Sequence, residues 1–123
     1  MGDYLMSLIK CNDIQNASGG IPTVKSQRLI PTAWVNFNGS GTVAINDDEG
    51  VSSLTDSGTG AYSVNLSNAM SDTNYCVASS NNDWNATAAA YPESTSKVKV
   101  YVENNNSLSD TSVIGVIVMG GQA

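Results

Sequence analysis

The sequence predicts an all-β protein, an antiparallel β-sandwich of about six to eight strands preceded by an extended N-terminal arm. Short β-rich runs recur between clusters of Gly, Asn, Asp and Ser. No segment has a 3.6-residue apolar period, and helix-forming runs of Ala, Leu, Glu and Lys are absent. Eleven Gly and three Pro punctuate the 123 residues, and the length fits one domain with a modest core.

The elements follow in order. Leu8–Ile14 reads as a strand, broken by Ala17-Ser18-Gly19-Gly20. Ile21–Pro31 has Pro near both ends and few packing residues, which favours an extended connector. Residues 1–31 are therefore expected to form an arm, and residues 32–123 the sandwich. Ala33–Phe37 alternates, putting Trp34 and Asn36 on one face and Val35 and Phe37 on the other. Asn38-Gly39-Ser40-Gly41 is a turn signal, with Thr42–Ile45 as the returning strand. Asp47-Asp48-Glu49-Gly50 reads as a second turn before the strand Val51–Thr55. Asp56–Gly60 turns again into Ala61–Leu66, where Tyr62, Val64 and Leu66 share a face. Tyr75–Ser79, Thr87–Tyr91 and Lys97–Val102 complete the middle, separated by looser polar segments.

Ser112–Met119 is almost unbroken apolar, so both faces of that strand are expected to leave water. One sandwich covers one face of each strand. The economical cover for the other is a second copy of the chain, with Trp34, Val113, Gly115 and Ile117 as the expected interface. Gly115 would let a backbone approach closely.

Composition narrows the function. Apolar residues make up 41% and charged residues only 13%, against about 25% in an average chain. Ser, Thr, Asn and Gly take the place of charge, a surface suited to neutral polar partners such as sugars or an identical subunit. Net charge is −6, and the five basic residues Lys10, Lys25, Arg28, Lys97 and Lys99 are scattered, which sets nucleic acid aside. No run reaches the ~20 apolar residues of a membrane span, and no signal peptide is visible. The expectation is a soluble chain beginning at its own Met, with its sequons unused.

Chemistry is sparse. There is no His, which removes the commonest general base and metal ligand, and no phosphate-binding glycine loop. Asp47-Asp48-Glu49 reads as a solvated turn rather than a metal site, and nothing places Asp56 and Asp83 as a glycosidase pair. No catalytic residue, cofactor or metal is expected. Cys11 and Cys76 read as buried free thiols, with one disulfide between arm and body as the alternative. Asn81-Asn82-Asp83-Trp84-Asn85, with Tyr91, is the candidate glycan site: an aromatic plate ringed by amide and carboxylate groups. The competing reading is a surface turn whose Trp covers the sandwich end or a neighbouring subunit.

A resemblance adds to this. Ala33-Trp34-Val35-Asn36-Phe37-Asn38-Gly39, Gly41–Ile45, Val51–Asp56, Gly58–Leu66 and Met70…Asn74-Tyr75 resemble a module common in tail-fibre proteins of tailed bacteriophages. Ser7–Asn16 with Gly19-Gly20 is similar to the leader often placed before it. The pattern departs from the family at Asn46-Asp47-Asp48-Glu49, where members carry a basic or polar residue followed by an aromatic. The resemblance implies a fibre-end knob, a sandwich comparable to the H-type lectin fold that assembles as a parallel homotrimer. It implies a virion protein made in the host cytoplasm, docked on other virion proteins through residues 1–31 and contributing to host-surface glycan recognition. The alternative is a structural virion component, such as a capsid decoration, head fibre or tail assembly protein, with no receptor-binding role.

Overall fold

The structure, a computed structural model, describes residues 12, 14, 15, 17–19, 23, 24, 27, 28 and 30–121. It divides into two compact units, 1–30 and 31–123. In the first unit, β1 (Thr23–Val24) pairs antiparallel with β2 (Gln27–Arg28). The connector expected to be merely extended is therefore a small hairpin, because two extended arms so close in sequence satisfy each other's backbone groups. Most of the strand expected at Leu8–Ile14 lies outside the described residues, as do Cys11 and Lys10; Asn12 and Ile14 are not in a strand.

The second unit is an all-β sandwich, with no helix among the described residues. One sheet contains β3 (Ala33–Asn38), β4 (Ala44–Glu49), β7 (Cys76–Asn81) and β11 (Ile114–Met119), in the order β4-β3-β11-β7. The other contains β5 (Val51–Asp56), β6 (Ala61–Leu66), β8 (Ala86–Ser94), β9 (Lys97–Asn104) and the two-residue β10 (Ser107–Leu108). Here β9 pairs with β6, β8 and β10, and β5 lies beyond β6. All pairings are antiparallel.

Alternation builds the core. Ala33, Val35 and Phe37 of β3 and Ile114, Val116 and Val118 of β11 face Tyr62, Val64 and Leu66 of β6 and Val98, Val100 and Val102 of β9. Phe37 meets Tyr62 edge-to-face at 5.4 Å between ring centroids, a favoured aromatic geometry. Met70 and Tyr75, from the segment between β6 and β7, close one end of this cluster.

Two departures from the expected pattern have clear causes. Asp47-Asp48-Glu49 is strand rather than turn, with Asp48 opposite Val35 and Glu49 opposite Trp34. A charged edge strand keeps its carboxylates wet, and Gly50, at φ +75°, makes the reversal alone. Strand β8 runs through Pro92 to Ser94; β8 is an edge strand whose ladder partner is β9, and on its open side a missing N–H costs no ladder bond. The thiol of Cys76 is also exposed rather than buried, since Cys76 opens β7 opposite Met119 on the outward side.

A polar tie joins the two sheets at one end. The Tyr62 phenol lies 2.6 Å from Gly39 O and 2.8 Å from Asp110 Oδ1, sharing its single proton between the two acceptors. Asp110 Oδ1 also accepts from the Gly60 N–H at 2.7 Å. A Cβ on Gly39 would meet Ile114 Cδ1 at 2.6 Å and the Tyr62 oxygen at 2.7 Å, so only glycine fits there. Burial, then the hydrogen bond and charge of Asp110, push the Tyr62 phenol well above its ordinary value of 10.0. The unfolded chain ionises first, so the stability tied to the neutral phenol is complete below pH 10.0 and is lost as pH rises beyond it. Tyr62→Phe is expected to cost roughly 1–3 kcal/mol in urea unfolding at neutral pH and to flatten the alkaline loss of stability. An unchanged midpoint and alkaline slope would contradict the tie.

Candidate functional site

The sandwich has two chemically different ends. At one, Thr32 N–H bonds to Val118 O, Ser67 N–H to Gly50 O and Ser71 N–H to Gly121 O; the chain enters the sandwich here, at Pro31. At the other, Gly39 N–H bonds to Thr111 O, Val102 N–H to Gly60 O and Asn82 N–H to Val113 O. The 82–85 loop joins β7 to β8 across the two sheets and belongs to this second end. Trp84 is therefore presented opposite Pro31, at 92% exposure.

The polar residues around Trp84 build the loop. Asp83 N–H bonds to Asn81 Oδ1 at 2.7 Å, and Asn81 Nδ2 donates to Ala86 O. Asp83 Oδ1 accepts from Asn85 N–H at 3.0 Å, while its Oδ2 accepts from Asn104 Nδ2 of β9 at 3.2 Å. Asn82 reaches the other sheet, donating to Ser112 Oγ and accepting from Val113 N–H. Asn81, Asn82 and Asp83 were expected to ring a ligand; their polar atoms instead form a pedestal. The Asx geometry that commits Asn81 and Asp83, a side-chain oxygen taking the N–H two residues on, is available to any Asn or Asp in a turn, whereas Asn82 is committed to Ser112 and Val113. What the loop offers outward is the indole, with the exposed Asn85 beside it in sequence.

Tyr91 does not join this site. It lies on β8 five residues beyond Ala86, where the loop ends, about 17 Å at strand rise. Its ring packs against Tyr101 instead, with centroids 6.3 Å apart.

The second candidate surface is the outer face of the β4-β3-β11-β7 sheet. The register sets Ile117 between Trp34 and Ala78, and Gly115 between Asn36 and Ser80. Ile117 is 48% exposed, and the expectation that both faces of β11 leave water is unmet within one chain. Pro31, Trp34, Ala78, Ser80, Gly115 and Ile117 line an open groove of about 490 Å³. Three of the four residues expected at an interface thus come together; Val113 precedes β11, bonded to Asn82, and does not line the groove. Sequence reasoning missed Ala78 and Ser80, although their alternation with Val77 and Ser79 in β7 marks them as outward. Only Ser80 Oγ, at 2.7 Å, crowds a Cβ built on Gly115, so the groove floor is open.

Three of the loop and edge-strand carboxylates accept hydrogen bonds from nearby backbone N–H groups. Asp47 Oδ1 accepts from Asp48 N–H, Asp48 Oδ2 from Val51 N–H and Asp56 Oδ1 from Gly58 N–H. Among the described residues, no group of three or more His, Cys, Asp or Glu is placed to hold a metal ion.

No family model, curated protein or solved structure matches the chain.

Asp83→Ala removes the acceptors of Asn85 N–H and Asn104 Nδ2 and should loosen the pedestal without touching the core. The expected result is at least tenfold faster hydrogen exchange at Asn85 and Ala86, with β3 and β11 unchanged. Unaltered exchange in the loop would show that Asp83 does not hold it.

Proposed function

We propose that this chain is a non-catalytic adhesion knob of a bacteriophage fibre, assembling through the outer face of the β4-β3-β11-β7 sheet and meeting its target with Trp84. The observation that carries the reading is the 92% exposed indole on a hydrogen-bonded pedestal, opposite the entry point at Pro31. An exposed Trp is costly to keep in water and supplies a large, rigid contact area. Its stacking face suits the CH face of a sugar, in keeping with a target glycan on a host surface. Residues 1–31 would then be the attachment side, docking on other virion proteins.

Assembly rests on the groove around Gly115. Its centre carries no charge, as the core of a protein interface requires. Asp47 and Glu49 flank it on β4, so two acidic edges would repel, and contact between copies is favoured over β11 and β7. A homotrimer, the state implied by the tail-fibre resemblance, gives each groove a neighbouring copy as cover. The reading without a receptor, a structural virion component, keeps this assembly face and assigns Trp84 to another virion protein.

Two substitutions separate the parts. Trp84→Ala should leave oligomer mass intact and lower adsorption of the particle to host cells at least tenfold. Ile117→Glu should give a folded monomer. Equal adsorption by Trp84→Ala particles would remove the recognition role, and an unchanged oligomer for Ile117→Glu would remove the assembly face.

A further inference from the structure

The outer face of the five-stranded sheet presents a second aromatic surface, remote from the Trp84 loop. Residues Thr55, Ser63, Lys99 and Tyr91 form one row across β5, β6, β9 and β8. In the next row Tyr101 lies between Ala61 and Ala89. The Tyr91 and Tyr101 rings are 28° from parallel with centroids 6.3 Å apart, and Tyr91 is 47% exposed. Small Ala89 leaves the flank of Tyr101 uncrowded. The result is a two-ring floor on a rigid sheet.

Polar groups border the floor. Lys99 Nζ bonds to Ser57 Oγ at 3.1 Å and stands 5.6 Å from the Tyr101 centroid, so both of these contacts are neutral. Glu93 Oε2 accepts from the nearly buried Ser63 hydroxyl at 3.3 Å, which fixes the carboxylate beside the rings. Lys97 and Glu103 lie on the same face of β9 as Lys99 and Tyr101. Two cations are thus balanced by Glu93 and Glu103, and the face has no strong field for either sign of ligand.

We infer that the Tyr91–Tyr101 face is a binding site for a neutral saccharide, whose CH faces stack on the two rings while Lys99 and Glu93 engage its hydroxyls. A protein partner fits less well. Interface cores are depleted in charge, and here four charged side chains surround two rings; among the described residues, a charge-free lining is found at the groove on the opposite sheet. A polyanion would meet Glu93 and Glu103, and an apolar ligand would strip water from the ammonium and carboxylates without replacing its hydrogen bonds. A neutral sugar supplies both an apolar face and the hydroxyl donors and acceptors these groups require. Two adjacent rings suit consecutive units of a chain better than one terminal sugar. This site adds to the reading above and stands without it, since neither Trp84 nor the groove takes part.

The test is an NMR titration of the full chain with four neutral hexasaccharides, from glucan, mannan, galactan and chitin, following backbone amides and the Trp84 indole N–H. The expected result is saturable shifts at Tyr91, Lys99 and Tyr101 with at least one of them, weakened at least tenfold by Tyr91→Ala and by Tyr101→Ala. Lys99→Gln should weaken binding severalfold while the fold stays intact. Shifts confined to the Trp84 indole would overturn the face as a site while supporting the tip. No shifts at Tyr91 or Tyr101 with any of the four would overturn it as well. Shifts at these residues on raising protein concentration alone would identify the face as a contact between copies, again overturning the proposal.

Discussion

The pairing of β3 with β11 decides what the rest of this protein can present. Val116 is opposite Val35, and Ile114 opposite Phe37, so these residues enter the core together. Side chains alternate faces, and that burial forces Ile117 opposite Trp34 on the outside. A register slip of one residue would exchange the two sets and leave Val35, Phe37 and Val116 in water. The apolar outer groove is therefore a consequence of the core register, and an apolar face fixed in place is what association between copies requires.

The opposite need, an exposed apolar group that does not collapse onto the sandwich, is met at the loop end. Trp84 stays clear of the surface because Asn81, Asn82, Asp83 and Asn104 spend their hydrogen bonds on the loop's own backbone and on the neighbouring sheet. The same end holds the Tyr62–Asp110–Gly60 tie, which anchors the β5–β6 turn to the segment before β11. Rigidity and exposure coincide there. Contact residues held this way lose little conformational freedom on binding.

Much of the fold was legible in the sequence because alternation is a local signal. Trp34 and Asn36 against Val35 and Phe37, and Tyr62, Val64 and Leu66 on one side, can be read without a partner strand, and the two antiparallel sheets follow. Eight strands of at least six residues match the expected number, with the two-residue β10 added where a β9–β10 hairpin reverses at Asn105 and Asn106, both at positive φ. The errors lie where position in the sheet overrides composition. Acidic residues at 47–49 look like a turn until β4 is known to be an edge, and Pro92 looks like a terminator until β8 is. The exposure of Trp84 was readable from its polar neighbours, but the commitment of those neighbours to the loop was not, since it depends on turn geometry. Tyr91 was grouped with Trp84 by nearness in sequence, which an extended strand converts into distance. Tyr101, its actual neighbour, is reached only through the β8–β9 register.

Copies of the same chain are the proposed cover for the outer face of the β4-β3-β11-β7 sheet. Sedimentation velocity of the full chain at micromolar concentration measures this directly. Coverage by neighbouring copies in a trimer requires a single species with three times the chain mass. A monomer persisting across that concentration range would contradict it.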